Sequence, residues 1–354
     1  MKSPIFVILS LCLAIFAASA QQAAPATFAT NAVSDIALCY KGSPKHIEWT
    51  EQEIEHYVVH TFANGKRDWL FNGFLFLEFN DGMGNLFATN WGKNGADKKK
   101  WQWLLNRNFE QGKAVCALNS CISKQKKVLG NPPFTHAVIM ALPVPFPGKT
   151  NWGKISGKKM NFNKQKDQIS AMKWYVDQVL QRFTQAKLGN LRLEGFYWID
   201  ENIQASAAIT KVISSYIHSK GMRFYWIPYF SSRGLENWKS YGFDFAYLQP
   251  NYFFNKQVPR ARLSEACRRA ASLHMGMEFE VDERVLHSRA DSFAPKMADY
   301  IDDFTTNGVF NKSAVAYYLG TDVLVRINRS TDTADHVLFD RLAGIIASRR
   351  RIKW

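Results

Sequence analysis

Short apolar segments alternate eight times with longer amphipathic segments, and this alternation leaves few folds open to the chain. The candidate strands are 36–40, 73–79, 136–142, 194–199, 223–229, 243–248, 276–281 and 314–319. The helical segments between them include 51–61, 98–106, 165–186, 203–219, 260–274, 292–305 and 334–348. Strands that alternate with helices form right-handed parallel units, and eight such units can close a barrel.

Hydrophobic periodicity supports these assignments. In the segment 165–186 apolar residues recur at spacings of three and four, which is typical of a helix with one buried face. The strands are nearly continuous apolar runs, as expected when both faces of a parallel sheet are covered. No glycine-rich phosphate loop follows the first strand, so a doubly wound open sheet is disfavoured. We predict an α/β fold with one domain, a (β/α)8 TIM barrel over residues 33–354.

The N-terminal segment predicts export. Lys2 precedes an apolar run at residues 5–16, and Ala18-Ser19-Ala20 then supplies a small-residue cleavage site. This pattern is that of a secretory signal peptide over residues 1–20. The apolar run is shorter than the roughly 20 residues that span a bilayer. We therefore expect a secreted or periplasmic protein without a membrane span, beginning with a flexible segment at residues 21–32.

Cysteine and histidine spacing predicts no metal centre. No Cys-x-x-Cys pair and no cluster of cysteine with histidine at zinc-binding spacing occurs around Cys39, Cys116, Cys121 and Cys267. We predict no catalytic metal and no cofactor. Export permits a bridge between Cys116 and Cys121 if their helix ends between them, and buried free thiols are the alternative.

The formal net charge of +15 indicates a surface that attracts polyanions. No helix-turn-helix, zinc or ribonucleoprotein motif is present, so nucleic acid is not the expected partner. An acidic polysaccharide or an anionic cell envelope fits an exported protein better. The alternative is that the charge serves solubility alone.

The fourth strand runs into two acidic residues, Asp200 and Glu201. Active sites of (β/α)8 barrels lie at the carboxyl ends of the strands. Because side chains alternate along a strand, Tyr197 and Glu201 share one face, and Asp200 lies on the other. If Tyr197 faces the lumen, Glu201 lies at its mouth. The alternative is that these acids cap a helix starting near Ile203.

The seventh strand carries Glu278 and Glu280 on one face, opposite the apolar Met277 and Phe279. Two glutamates on the inner side of a buried strand are costly unless they are solvated, paired or used. In the structural interpretation, these glutamates form salt bridges with a lysine or arginine elsewhere in the barrel. In the functional interpretation, they belong to a site at the rim.

Carboxylates at the ends of strands four and seven suit the cleavage of a glycosidic bond. One protonates the leaving oxygen while the other attacks the anomeric carbon or activates water. We predict a retaining enzyme with Glu201 as acid/base and Glu280 as nucleophile, and with Glu278 as the alternative nucleophile. A retaining pair holds its carboxyl groups about 5 to 5.5 Å apart. Substrate-assisted hydrolysis by Asp200 and Glu201 is a second enzyme reading, which their adjacency disfavours.

Aromatic residues make up 14% of the chain, so rings either fill the core or face a ligand. The predicted substrate-binding residues are Tyr40, Trp91, Trp152, Tyr197, Trp226, Tyr229, Gln249, Asn251 and Tyr252, and Trp238 also lies just past a strand. Rings can act as platforms for sugars, and the amides can bind hydroxyl groups. The long loop at residues 143–162 follows the third strand, and long ordered loops are usually functional. We expect it to border the same cleft as Trp91.

Five short motifs together resemble a known family. They are Tyr40, Trp91-Gly92, the stretch 195–198 with Glu201, the stretch 249–251 and the stretch 276–280. They look like the bacterial family catalogued as domain of unknown function 4855, over nearly all of the chain after residue 20. The resemblance implies a TIM barrel distantly related to glycoside hydrolases, from bacteria that degrade polysaccharides. The two strand-end glutamates also resemble those of the large retaining clan of barrel glycosidases, although Asp200-Glu201 stands in place of that clan's Asn-Glu.

The sequence therefore predicts an exported glycoside hydrolase acting on a polysaccharide or oligosaccharide. A carbohydrate-binding barrel without catalysis is the first alternative. Salt bridges that hold Glu278 and Glu280 away from Glu201 would favour it. A basic protein that binds anionic envelope polymers is the second alternative, and it requires a basic stripe in place of an acidic pocket.

Overall fold

The computed structural model describes residues 27–31, 33–203 and 206–349. The predicted signal peptide at residues 1–20 and the first part of the predicted flexible segment lie outside these residues. Within the described ranges, no helix has both the length and the apolar character needed to cross a membrane.

Eight parallel strands form a closed barrel. They are β1 (Asp35–Tyr40), β2 (Gly73–Leu77), β3 (His136–Leu142), β4 (Leu191–Trp198), β5 (Arg223–Trp226), β6 (Phe245–Leu248), β7 (Gly276–Val281) and β8 (Val315–Leu319). Each strand pairs with the next in sequence, and β8 pairs with β1 to close the sheet. The predicted single-domain (β/α)8 barrel is confirmed.

Helices connect the strands and surround the barrel. They are α1 (Glu51–Val58), α2 (Lys98–Asn108), α3 (Ala114–Leu129), α4 (Gln165–Gln185), α5 (Ala207–Ser219), α6 (Ala261–Ser272), α7 (Ala294–Thr306), α8 (Val309–Lys312), α9 (Val323–Arg329) and α10 (Thr333–Arg349). The predicted helix at 51–61 ends at Val58, because Val59–Thr61 pairs as a strand with Arg67–Trp69. A second short hairpin pairs Gly153–Ile155 with Lys158–Met160 inside the long loop after β3.

Each barrel element buries the face that its sequence pattern indicates. In α6 the buried residues recur three and four apart: Leu263, Ala266, Cys267 and Ala270. In β7 every residue is buried, because one face of the strand meets the lumen and the other meets the helices. Phe279 packs against Tyr300 of α7 with ring centroids 5.0 Å apart, so it lies on the outer face. The two glutamates of β7 consequently point inward.

Gly195 allows β4 and β5 to approach closely. A Cβ atom at this position would lie 2.1 Å from the carbonyl oxygen of Arg223. The register of β4 against β3 shifts between Val138 and Ile139, which places an extra residue in β4 just before Gly195. Such bulges re-aim the side chains that follow. Tyr197 faces the lumen, which meets the condition for Glu201 to lie at its mouth.

Residues 27–31 are fixed against the amino-terminal end of the barrel. The backbone nitrogen of Ala29 donates to the carbonyl oxygen of Met275 at 3.1 Å. The side chain of Asn31 donates to the hydroxyl groups of Tyr225 and Tyr247 at 3.2 and 3.3 Å. The tyrosines that point down the lumen thus supply partners for the buried amide of Asn31.

The four cysteines that the structure describes are free thiols. Cys116 and Cys121 both lie in α3, which continues unbroken through the two positions. Cys39 and Cys267 are buried and free as well. The condition for a bridge, a helix end between Cys116 and Cys121, is not met, and the alternative of free thiols is the one observed.

Candidate active site

A cavity of about 460 Å³ opens at the carboxyl ends of the strands. This volume is in the range of small-molecule sites. Eight of the residues singled out in the sequence line it: Glu201, Glu278, Glu280, Tyr40, Trp91, Tyr197, Gln249 and Asn251. The other residues at its surface include His46, Glu78, Phe79, Phe254, Asp282 and Tyr318. Three glutamates from two strands thus meet in one space.

Glu201 follows β4 and enters the cavity on the same face as Tyr197. Its Oε1 accepts a hydrogen bond from Nε2 of Gln249 at 3.0 Å. Its backbone carbonyl accepts another from the hydroxyl of Ser232 at 2.7 Å. Burial raises the pKa of Glu201, and the hydrogen bond from Gln249 opposes that effect. The side chain is therefore held in place and tends to keep its proton.

A short 3₁₀ helix, Thr89–Trp91, braces the segment that carries Glu201. The backbone nitrogen and the hydroxyl group of Thr89 both donate to the carboxylate of Asp200, the first at 2.6 Å. The side-chain amide of Asn90 lies 3.2 Å from the backbone nitrogens of Glu201 and Asn202 and is placed to accept from both. The loop after β2 thereby fixes the end of β4.

Asp200 turns away from the main cavity and lines a second one of about 360 Å³. Burial raises its pKa to about 6, against the hydrogen bonds from Thr89. Because Asp200 and Glu201 face different cavities, they do not present two acids to one sugar. The next helix, α5, begins at Ala207, so neither acid lies at its N-terminus.

Glu280 is buried at the end of β7, with 1% of its surface exposed. Its Oε2 accepts hydrogen bonds from the backbone nitrogen of Asn251 at 2.7 Å and from the hydroxyl of Tyr300 at 2.8 Å. Burial raises the pKa of Glu280 to about 8, although both hydrogen bonds lower it. Both donors bind Oε2, so Oε1 of Glu280 is the oxygen that remains available to react.

Glu278 lies two residues, or about 6.6 Å, deeper in β7 than Glu280. It is 3% exposed and lines the floor of the cavity. Burial raises its pKa well above the ordinary range, and the nearby Glu280 and Glu201 raise it further. The three glutamates are therefore electrostatically coupled, and their cluster carries fewer than three negative charges at neutral pH.

No salt bridge to Glu278 or Glu280 occurs among residues 27–31, 33–203 and 206–349. Ion pairs that hold those glutamates away from Glu201 would have favoured a barrel that binds carbohydrate without catalysis. Both side chains instead share a cavity with Glu201.

The residues after β6 hold both Glu201, which follows β4, and Glu280 of β7 by hydrogen bonds. Gln249 holds Glu201 through its side chain, and Asn251 holds Glu280 through its backbone nitrogen. Asn251 adopts a φ of 51°, a left-handed conformation that non-glycine residues rarely take. Its side-chain oxygen accepts from the backbone nitrogen of Phe230 at 2.9 Å, which helps to maintain this conformation. Unusual backbone geometry of this kind clusters at functional sites.

Five rings form a continuous surface along one side of the cavity, which we call the aromatic wall. In order of contact they are Trp91, Phe79, Tyr40, Tyr318 and Phe254. Successive ring centroids lie 5.1, 5.8, 5.6 and 5.7 Å apart. Trp91 and Phe254, at the two ends, remain 59% and 39% exposed. An exposed ring at each end of a polar cavity suits a ligand with both apolar and hydroxylated faces.

A histidine and a carboxylate pair beside the aromatic wall, where the ring of His46 meets that of Tyr40 with centroids 5.7 Å apart. Nδ1 of His46 lies 2.7 Å from Oε2 of Glu78, which also accepts from the backbone nitrogen of Ser43 at 2.8 Å. Oε1 of Glu78 accepts from the backbone nitrogen of Phe79 at 2.9 Å. Glu78 is therefore committed to its neighbours and orients the imidazole.

Four residues predicted to bind substrate do not line the main cavity. Trp152 is 1% exposed and packs against Trp101 and Phe162, so it belongs to the core beneath the long loop. Trp226 is fully buried on the outer face of β5 and donates to the carbonyl oxygen of Asp200 at 2.8 Å. It supports the site from behind and does not contact the cavity.

The other two lie beyond the rim. Tyr252 is 4% exposed, and its hydroxyl donates to Asp299 at 2.6 Å. Tyr229 forms an isolated bridge with Gln249 and is absent from the lining of the described cavity. Trp238, also near a strand end, is buried and donates to the carbonyl oxygen of Leu273 at 2.9 Å. A position just past a strand is thus too weak a criterion for a ring that faces a ligand.

Trp91 and Trp152 form a matched pair for mutation, one exposed and one buried. Trp152→Ala should lower the free energy of unfolding by about 3 to 5 kcal/mol, because it empties a packed aromatic cluster. Trp91→Ala should change it by no more than about 0.5 kcal/mol, as surface substitutions do, while weakening the binding of saccharides. Urea denaturation and calorimetric titration of both variants would test this. Equal stability losses, or unchanged binding by the Trp91 variant, would contradict the assignment.

Several residues of the site escape reasoning from the sequence. Tyr300 lies in α7 and reaches Glu280 only through the packing of that helix on β7. Phe254 and Tyr318 enter the aromatic wall from separate parts of the chain. Alternation in β8 does place Tyr318 on the opposite face from Tyr317, which is the one local signal available. Among the described residues, no group of three or more histidine, cysteine or acidic side chains is arranged to hold a metal ion.

Comparison with known proteins yields a family and a set of distant structures. A family model described as "Domain of unknown function (DUF4855)" matches residues 35–344. No curated protein matches the chain. Solved structures similar to it include mutant tryptophan synthase alpha-subunits from the hyperthermophile Pyrococcus furiosus. One is 11% identical, with a TM-score of 0.42, over 88% of this chain and 97% of that chain. Another is 10% identical, with a TM-score of 0.43, over 89% and 98%. The barrel assignment rests on the strand order of this chain and not on these likenesses.

Proposed function

We propose that this chain, which belongs to the family described as domain of unknown function 4855, is a glycoside hydrolase that uses Glu201 and Glu280. The family description names no activity, so the proposal depends on the site. The observation that carries it is the convergence of Glu201 and Glu280 on one cavity, each held by the stretch after β6.

Glu201 is the proposed acid. Its carboxyl group is buried, which raises its pKa and favours the protonated form that a leaving oxygen requires. In the first step this proton moves to the glycosidic oxygen as the bond from that oxygen to the anomeric carbon breaks. The alcohol fragment then leaves neutral, which lowers the barrier.

Glu280 is the proposed nucleophile. Its Oε2 is occupied by the hydrogen bonds from Asn251 and Tyr300, so once the group has lost its proton to solvent the Oε1 of the carboxylate attacks the anomeric carbon with a lone pair and forms a glycosyl ester. In the second step water attacks that carbon while the carboxylate of Glu201 takes its proton. The ester bond breaks, its electron pair returns to Glu280, and the sugar leaves with its original anomeric configuration.

The aromatic wall supports a carbohydrate ligand. Sugar rings present faces of C–H bonds that pack on aromatic planes, and their hydroxyl groups can bond to amides such as Gln249. The cavity is lined by five carboxyl groups, so it does not suit an acidic sugar unit: Glu78, Glu201, Glu278, Glu280 and Asp282. We propose that anionic groups of a polymer, if present, contact the basic surface outside the cavity. The predicted export places such polymers within reach.

A panel of polysaccharides tests the proposal. The purified parent should release reducing ends from at least one member, and Glu280→Gln should release none. Glu265→Gln serves as the matched control, because this glutamate is exposed on α6 and does not line the cavity. Binding without any release by the parent would contradict hydrolysis and favour a carbohydrate-binding barrel.

A further inference from the structure

The floor of the cavity holds a carboxyl group for which the protein supplies no counterpart. Among the described residues, no hydrogen bond and no salt bridge reaches the carboxyl group of Glu278, although it is 3% exposed. Buried carboxyl groups are normally paired or hydrogen-bonded. The side chain faces the cavity, so a ligand is the group that can complete it.

Three tyrosines share the cavity with this carboxyl group. Tyr40, Tyr197 and Tyr318 line the same cavity, and each interacts electrostatically with Glu278. The rings of Tyr40 and Tyr318 meet edge to face, with centroids 5.6 Å apart. A buried carboxyl group beside phenol hydroxyl groups can recognise an ammonium group, because the carboxylate pairs with its charge and the hydroxyl oxygens can accept its other hydrogen bonds.

The charged residues that line the cavity also favour a cationic ligand. Of its five carboxyl groups, Glu78 is bonded to His46 and Asp282 is paired with Arg284 at 2.6 Å. Glu201, Glu278 and Glu280 have no cationic partner within the part of the chain that the structure describes. His46 is the one lining residue there that can carry a positive charge, and Glu78 already engages it.

We infer that the floor formed by Glu278, Tyr40, Tyr197 and Tyr318 binds a protonated amine, and that the glycan substrate contains an amino sugar with a free amino group. The second part depends on the proposed hydrolysis, whereas the first does not. Glu278 then positions the substrate, and Glu201 and Glu280 act on it.

The net charge of +15 does not oppose this assignment. Interactions between exposed charges are screened beyond about 8 to 10 Å at physiological salt. An amine inside the cavity therefore senses the three nearby carboxyl groups more strongly than the distant basic surface. The same surface would slow the approach of a long cationic polymer, so short or partly acetylated chains are the better substrates.

Calorimetric titration of the Glu201→Gln full-length chain tests the inference without turnover. The probes are glucosamine, galactosamine and mannosamine, each compared with glucose, galactose or mannose, from which it differs at one group. At pH 6 at least one amine should bind about tenfold more tightly than its neutral counterpart. Adding Glu278→Gln should remove that preference. Equal affinities within all three pairs, or a preference that survives Glu278→Gln, would overturn the inference.

Proton release gives an independent readout. At pH 6 the amine already carries its proton, so its binding to the parent chain should drive a proton off the carboxyl cluster of Glu278, Glu280 and Glu201. Tyr40, Tyr197, Tyr318 and Tyr300 face the same cluster and stay neutral at this pH. Titrations in two buffers of different ionisation enthalpy should show release with the amines and none with the neutral sugars. If the double variant does not fold, the measurement of proton release tests the inference by itself. The absence of proton release with every amine would contradict the inference.

Measurements of metal binding and of glycan hydrolysis distinguish the inference from its alternatives. Tight binding of Ca²⁺ or Mg²⁺ that Glu278→Gln abolishes, without any amine preference, would assign the floor to a metal ion and overturn the inference. Hydrolysis of neutral glycans without an amine preference would overturn it while leaving the proposed function intact. Amine binding with proton release, but no hydrolysis of any amino-sugar glycan, would support the floor assignment and contradict the proposed function.

Discussion

Replacing Glu280 by glutamine should lower kcat on the order of 10⁴-fold or more, whatever the leaving group of the substrate. Glutamine keeps the acceptor for Asn251 and Tyr300 but cannot form the glycosyl ester, so both steps are lost. Steady-state kinetics on any substrate that the parent cleaves would measure the effect. The Glu265→Gln control should retain the activity of the parent.

Glu201→Gln should behave differently, and the difference separates the two roles. Substrates with poor leaving groups should lose about 10²- to 10⁴-fold in the first step, because they need the proton. Aryl glycosides whose leaving group departs without protonation should keep a fast first step. Equal losses on both substrate types would contradict the role of Glu201 as acid. Full activity of both the Glu201 and Glu280 variants would return these acids to a structural role.

The second large effect concerns stability and pH. Burial raises the pKa of Glu280 from 4.5 to about 8. In the unfolded chain this group ionises near pH 4.5, whereas in the folded protein it keeps its proton until about pH 8. Unfolding therefore releases a proton between these values, and the free energy of unfolding falls as pH rises through that window. At about 1.4 kcal/mol per pKa unit, the cost reaches roughly 5 kcal/mol at pH 8.

Glu280→Gln should remove this cost. The variant should match the parent near pH 4, where both side chains are neutral, and should exceed its stability by several kcal/mol at pH 8. Glu278→Gln should act in the same direction, because burial also raises the pKa of that group. Urea denaturation from pH 4 to 8.5 would measure both, with Glu265→Gln as control. A stability difference that does not grow with pH would show that these carboxyl groups ionise normally.

Much of the barrel follows from the sequence, because parallel strands with both faces buried leave a strong apolar pattern. All eight strands lie where alternation with helices predicts them. The same two-residue period places Glu278 and Glu280 at the lumen, since their neighbours in the strand are apolar, and it puts Glu201 on the face of Tyr197. Local patterns suffice where regular backbone geometry fixes the direction of a side chain.

Rings past the strand ends are harder to place, because regular geometry stops there. Trp91 reaches the cavity, whereas Trp152 packs into the core below a hairpin that the loop sequence does not indicate. Trp226 lies inside β5 on its outer face, where alternation with the inward Tyr225 gives a better guide than position along the chain. The contact between Tyr300 and Glu280 depends on how α7 packs, and no local pattern reports it.

The most direct test of the two-glutamate mechanism is the mass of the Glu201→Gln variant after incubation with a panel of 2,4-dinitrophenyl glycosides. These substrates need no acid for the first step, and the missing base slows the second, so a glycosyl ester should accumulate. The account predicts a mass gain of one glycosyl unit, located by peptide mapping on Glu280. Release of dinitrophenol with no adduct, together with a sugar product of inverted anomeric configuration, would contradict it.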